Sequence, residues 1–389
     1  MKDIIFKAKI IEKSENEKGK YIILDHTEFY PDGKGGQLGD KGTINNSKVV
    51  KVDISDNKIL HFVEEFPSVK PDEEVICIIS GERRRNISIQ HTAQHILSGA
   101  FFNLFNIETV SFHMGENYCT IDLSTPNISQ EEIKKSEELA NKIVMANVPI
   151  KKYFVNNEAL AKLPIRKKHA VTGKTRIVEI PDFDISMCGG THVNSTGEVG
   201  VIKVTKYERV KKTFQRIHFA AGINALKDYQ NKTKILSTIS NFLTTGENEL
   251  TEKVENLLKE SKHLQKETVK LKNELLEYVA KDLIKESRRI GTFDVLIKEL
   301  KDYTKEDIIT LSKKCISKKP LLTILYRKDN EIEIVISKSD NVNIDLMKLK
   351  EELSKRFKVK GGGNNKFLIL QINEDEGFKE FILDFIQRN

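Results

Sequence analysis

Two short stretches carry residues able to hold a metal, "HTAQH" at 91–95 and "CGGTH" at 188–192. On a helix His91 and His95 stand one turn apart on the same face, so their imidazoles can converge. Cys188 and His192 repeat that spacing in a glycine-rich loop and add a thiolate and a third imidazole. A Cys/His set of this intermediate softness suits zinc. Either pair alone is weak evidence, because histidines four apart are usually plain surface or core residues; both pairs in one chain reverse that reading. A metalloprotease would need a glutamate directly after its first histidine to serve as base. Here Thr92 and Ala93 fill the middle and Gln94 cannot titrate, which sets that reading aside. Four protein ligands would close a tetrahedral structural site, whereas three plus a water would leave a catalytic one. The sequence leaves both open. Asp184 reads equally as an outer partner of a histidine ligand or as an ordinary loop acid, and His113 as a packed or exposed strand residue.

The elements that must position these residues follow from periodicity. Residues 1–86 read as short strands ("IIFKAKII", "KYIILDHT", "KVVKVDIS", "KILHFVEE", "EEVICIIS") with Gly, Asn, Asp and Pro between them, the pattern of a small β-barrel. From "RRNISIQHTAQHILSGAFFNLF" the apolar period becomes helical. Mixed strands and helices continue to residue 222. A charge-rich helical region spans 223–290, with Leu250, Leu257, Leu264, Leu271 and Tyr278 on one heptad seam. Its second seam (Val254, Ser261, Thr268, Leu275) is half polar, and "LTTGEN" at 243–248 offers a turn, so a helical hairpin or stalk is expected rather than a long coiled coil. Residues 291–389 return to strands and helices. "LLTILYR" and "EIEIVIS" form an expected hairpin, and "KVKGGGNNKFLILQI" an expected glycine-rich loop leading into a strand.

The bulk numbers fit this plan. A chain of 389 residues with 39% hydrophobic and 31% charged residues is too long for one core. It has no apolar run of membrane-spanning length and no signal-peptide pattern at its start, so a cytoplasmic location is expected. Cys77, Cys119, Cys188 and Cys315 lie too far apart for a disulfide framework; Cys77 and Cys119 read as small core residues. The net charge of +7 permits a polyanionic partner without requiring one. Basic clusters at 82–86, 165–169, 209–212 and 312–319 bring the nucleic-acid reading level with that of plain solvated faces.

"HTAQHILSGAF" together with "CGGTHVNSTGEVG" resembles the paired signature of the alanyl-tRNA synthetase editing domain. "TEFYPDGKGGQLGDKG" (27–42) resembles that family's glycine-rich motif, "VIKVTKYERVKKTFQRIHFAAG" (201–222) the end of its editing core, and "KGGGNNKF" the glycine-rich motif of the DHHA1-type domain. The order and extent are similar to the long-form, free-standing AlaX-type editing factors. The resemblance implies an α+β multidomain fold: a barrel over 1–86, a zinc-dependent deacylase core over 87–222, the stalk, and a DHHA1-like α/β domain over 291–389 for tRNA binding or dimerisation. It implies one zinc per chain on His91, His95, Cys188 and His192, with Thr27, Gln37, His91 and His95 as the catalytic set. Thr27 and Gln37, which from sequence alone read as barrel-turn residues, match positions that sense a serine hydroxyl. Gly35, Gly36, Gly189 and Gly190 are the further substrate-binding positions. The implied activity is hydrolysis of tRNA(Ala) mischarged with serine or glycine, by a homodimer. Such editing is needed because a hydrophobic pocket rejects an added hydroxyl only about a hundredfold. The alternative from a different class is a non-catalytic RNA-binding module with a structural zinc.

Overall fold

The computed structural model describes residues 2–166, 173–329, 331–373 and 377–388. Lys167, Lys168 and His169 of the basic cluster at 165–169 lie outside them. The chain divides into two compact units, Met1–Phe242 and Leu243–Asn389.

In the first unit six strands close into a barrel: β1 (Ile4–Asn16), β2 (Gly19–Leu24), β3 (Gly42–Ile44), β4 (Ser47–Ser55), β5 (Lys58–Val63) and β6 (Glu74–Ile79), in the order β1-β2-β5-β4-β3-β6. Strand β1 shows why: Phe6, Ala8 and Ile10 alternate inward with exposed neighbours, the period a pleated strand requires. They meet Ile22, Val52, Val75 and Ile79 in the barrel core. The short β3 escaped the sequence reading because it offers three residues and one buried apolar side chain.

Helix α1 (Gly81–Phe105) follows directly. It begins three residues before the apolar period suggests, because Ser80 caps it by accepting the Arg83 amide. The charges of the 82–86 cluster are taken up locally: Arg83 pairs with Glu116, Arg84 with the buried Asp40 and Arg85 with Glu198. From Ile87 to Phe101 all residues but Ile89 are buried, so α1 runs through the core. Around it lie β7 (Thr109–Met114), β8 (Cys119–Leu123), α2 (Gln130–Met145), β9 (Lys151–Val155), α3 (Asn157–Lys162), β10 (Thr175–Ile180), β11 (Asp184–Met187), β12 (Ile202–Val210) and β13 (Phe214–Ala221). The strands make two sheets, β12-β13-β8-β7 and β11-β10-β9. Helix α4 (Ile223–Leu243) ends this region.

The second unit opens with α5 (Leu250–Lys285), continues through β14 (Arg288–Ile290), β15 (Phe293–Glu299), α6 (Lys305–Lys318), β16 (Leu321–Lys328), β17 (Ile332–Lys338), α7 (Leu346–Arg356), β18 (Val359–Asn364) and β19 (Phe367–Ile372), and closes with α8 (Phe378–Arg388). Its sheet runs β14-β15-β16-β17-β19-β18, and the expected β16–β17 hairpin is antiparallel. The helical region breaks at Thr244, whose φ is 50°. On α5 the seam residues Leu257, Leu264, Leu271 and Tyr278 are exposed, while Leu250 is buried. The glycine-rich segment is a strand, not the expected loop. Gly361 (φ 113°) and Gly363 (φ 154°) pair with Leu370 and Leu368. A Cβ at either would strike the carbonyl of Ile369 or Phe367, so only glycine lets β18 lie this close to β19. Across the described residues the fold is mixed α and β in several sheets, and no helix is long and apolar enough to cross a membrane.

Candidate metal centre

Helix α1 offers His91 and His95, and β11 delivers Cys188 and the loop to His192. The four ligand atoms lie within 4.8 Å of one another. Cys188 Sγ stands 3.4 Å from His91 Nε2 and 3.2 Å from His192 Nε2. Tetrahedral zinc with ordinary bond lengths spaces its donors roughly 3.3–3.8 Å apart. The two Cys188 distances lie close to that spacing, and the donor set suits such an ion.

Each imidazole is turned by an outer partner on Nδ1. His91 Nδ1 lies 2.7 Å from Gln37 Oε1, His95 Nδ1 3.2 Å from Asp184 Oδ2, and His192 Nδ1 3.1 Å from Thr92 Oγ1. The partners fix the tautomers. Gln37 Oε1 also accepts the Thr191 amide at 2.9 Å, so it is the acceptor and His91 Nδ1 carries the proton. The Thr92 hydroxyl donates to Ser88 O at 2.8 Å, so toward His192 it can only accept. Asp184 accepts from Arg166 Nε at 2.8 Å and from Ser186 Oγ at 2.9 Å as well as from His95. All three rings therefore present Nε2 inward, as metal-bound histidines do.

The cluster's electrostatics favour a thiolate. Burial alone would raise the Cys188 thiol, but the imidazoles of His192, His91 and His95 around its sulfur outweigh it and pull it down to about 2. Burial depresses His91 and brings His192 to about 3. Burial would also depress His95, yet its bonds to Asp184 and Cys188 lift it to about 9. By contrast, burial pushes the thiols of Cys77 and Cys119 up to about 12 and that of Cys315 to about 11; these are core residues.

Two cations hold the Cys188–Asn194 loop by its backbone. Arg176 Nη1 donates to the carbonyls of Cys188 (2.9 Å) and Gly190 (2.7 Å). Lys152 Nζ reaches those of His192 and Val193 at 3.3 Å and Asn194 Oδ1 at 2.8 Å. Gly190 lies so close to His91 that a Cβ would overlap the ring. Beside the cluster opens a cavity of about 280 Å³, lined by Gly35, His91, Gln94, His95, Phe112, Arg166, Cys188 and Gly189 among others.

Residues 175–218 match the family model of the threonyl and alanyl tRNA synthetase second additional domain. Over 92% of this chain and 89% of the relative, the sequence is 29% identical to the alanyl-tRNA editing protein AlaX-L of Pyrococcus horikoshii. Over nearly its whole length the chain is thus similar to an alanyl-tRNA editing protein. It is also 31% identical to the alanine–tRNA ligase of Pyrococcus abyssi and 29% to that of Methanococcus aeolicus, but spans only 41% and 38% of their lengths.

In this chain the expected residues fall into two groups. His91, His95, Cys188, His192, Gln37, Gly35, Gly189 and Gly190 come together at the cluster, and Gly36 packs against Phe112 of the cavity wall. Gln37 is 2% exposed, and its amide oxygen is engaged by His91 and Thr191. Thr27 is not among the cavity-lining residues; its hydroxyl lies 2.8 Å from Nε2 of the buried His61 and accepts the Phe29 amide at 3.1 Å. His61 Nδ1 bonds to Ile22 O at 3.0 Å, so the Thr27 hydroxyl donates to His61. Asp184 takes the histidine-partner alternative, and His113 is exposed. Thr92, Arg166, Arg176 and Lys152 were missed. Thr92 sits inside the motif and could have been flagged; the cations could not, because only the tertiary fold brings Arg176 and Lys152 to the loop and Arg166 to Asp184.

Proposed function

We propose that the chain hydrolyses the aminoacyl ester of mischarged tRNA(Ala), with serine and glycine as the acyl groups, acting in trans. The observation that carries this reading is the convergence of three oriented Nε2 atoms and the Cys188 thiolate beside an open cavity. His91, His95, Cys188 and His192 would hold one zinc, which would supply Lewis-acid polarisation of the ester and a lowered pKa for its bound water. The protein's own part is positional. Gln37, Asp184 and Thr92 fix the rings, Arg176 and Lys152 fix the loop, and Gly35 and Gly189 keep the cavity wall free of side chains. Seryl preference would fall to Thr27 as acceptor, since its proton is committed to His61. The Leu243–Asn389 unit would bind the tRNA body and carry homodimerisation, which the exposed Leu257, Leu264 and Leu271 on α5 support.

The four available donors also favour a second reading, a closed structural zinc in a non-catalytic RNA-binding module. The two separate in one experiment. Zinc-loaded full-length protein is incubated with seryl-, glycyl- and alanyl-tRNA(Ala), with and without chelator, beside Cys188→Ala. Hydrolysis of the first two that falls on chelation and in the variant supports the deacylase. Binding of tRNA without hydrolysis of any ester overturns it.

A further inference from the structure

The face of α1 that carries His91 and His95 also carries Gln94, which sequence reasoning passed over for lacking a titratable group. Gln94 is 7% exposed and borders the cavity. Its Nε2 donates to Ser98 Oγ at 2.9 Å, an oxygen that also receives the Thr109 hydroxyl at 2.7 Å. Ser98 is fully buried, so the carboxamide is anchored by its nitrogen end. Among the described residues no protein donor meets Gln94 Oε1. Nor is this oxygen walled off, since among the described residues the buried side-chain atoms lacking partners are Ser136 Oγ and Thr175 Oγ1. It is an unused, solvent-accessible acceptor on a residue that borders the cavity.

The neighbouring polar groups are otherwise engaged. Asp184, a carboxylate next to the cluster, takes His95, Arg166 and Ser186. Ser111 donates to Asp122 at 2.7 Å, and Ser186 is held between Arg166 and Asp184. An aminoacyl ester brings one group that cannot enter such a cavity without an acceptor, its α-ammonium. A metal-binding cluster repels that charge, so it must point away from the cluster.

Building on the deacylase reading, we propose that Gln94 Oε1 accepts a hydrogen bond from the substrate α-ammonium and so selects aminoacyl esters over esters lacking the amine. Gln94 is a specificity residue that meets the substrate; it moves no proton.

The test uses zinc-loaded full-length protein and Gln94→Met, which keeps the length and removes the acceptor. kcat/KM is measured on seryl-tRNA(Ala), glycyl-tRNA(Ala) and 3-hydroxypropionyl-tRNA(Ala), the last being the seryl group without its amine. Loss of a hydrogen bond to a charged group predicts a fall on the order of 10- to 100-fold on seryl and glycyl esters alike. Activity on the amine-free ester should stay within about twofold of wild type, with zinc content unchanged. Gln94→Glu, which retains an acceptor oxygen, should restore the preference for the amine. An equal loss on all three esters, no loss on any, or a loss on the seryl ester alone (a hydroxyl reader) would each overturn the proposal. Should wild type cleave none of the esters while binding tRNA, the deacylase reading itself fails, whatever Gln94 does.

Discussion

Thr92→Val tests whether the outer partners tune the metal centre. Thr92 is 1% exposed, and valine copies its shape while deleting the hydroxyl. That hydroxyl donates to Ser88 O at 2.8 Å and accepts from His192 Nδ1 at 3.1 Å and from the Val193 amide at 3.3 Å. The Ser88 carbonyl lies in mid-helix and keeps its helical partner. The other two donors are stranded in a dry interior, at about 1–3 kcal/mol each. For metal binding the His192 bond matters, because an unpaired Nδ1–H lets the ring turn or change tautomer. Loss of such a partner weakens metal affinity roughly 10- to 100-fold, or about 1.4–2.7 kcal/mol. At a free zinc concentration above both dissociation constants, the zinc-dependent gain in unfolding free energy should shrink by the same amount. Chelator competition reads the affinity, and denaturant unfolding with and without zinc reads the gain. Thr92→Ser keeps the hydroxyl and should stay near wild type. Affinity within twofold of wild type in Thr92→Val, or an equal fall in Thr92→Ser, would refute the reasoning.

Two further outcomes are expected. Gly190→Ala should lose most of its zinc, because the added Cβ overlaps the His91 ring and lies 2.6 Å from Gln37 Oε1, whereas at Gly189 it meets nothing within 4 Å and Gly189→Ala should load normally; metal analysis of the two decides. Burial holds His61 at about 4, against 6.5 for a free histidine. The unfolded chain therefore binds this proton first, so full stability persists above pH about 6.5 and about 3 kcal/mol is lost as pH falls to about 4. In NMR the His61 ring should remain neutral at pH 5, and a midpoint near 6.5 would disprove its role as acceptor for Thr27.

The parts legible in sequence were those where local pattern and tertiary environment agree. Alternation in β1 gave the barrel wall, and the four-residue spacings gave all four members of the cluster. Where one residue satisfies two demands the pattern misled. The arginines after Ser80 looked like a surface cluster, yet each folds onto an acid while the backbone below them starts the helix. The C-terminal glycines carry the composition of a loop but serve close strand pairing, and Asn364 caps the following turn by accepting the Lys366 and Phe367 amides. Asp184 was ambiguous for a different reason: its meaning depends on His95, which is 89 residues away in sequence and 3.2 Å away in space.

The charges around the cluster explain why its three outer partners are unlike. A zinc dication held there with one thiolate, Cys188, would keep a single positive charge, and three neutral imidazoles would not alter it. A free carboxylate beside His95 would cancel that charge. Asp184 does not, because Arg166 lies 2.8 Å from its other oxygen and balances it; what remains is a strong acceptor that orients His95. Gln37 and Thr92 do the same for His91 and His192 without any charge. Arg176 and Lys152 then add two cations at the loop's outer carbonyls. With zinc bound, the centre would be positioned by acceptors yet left net positive; on the deacylase reading that charge would draw a polyanionic acceptor end toward it and favour the charge that develops on an ester oxygen.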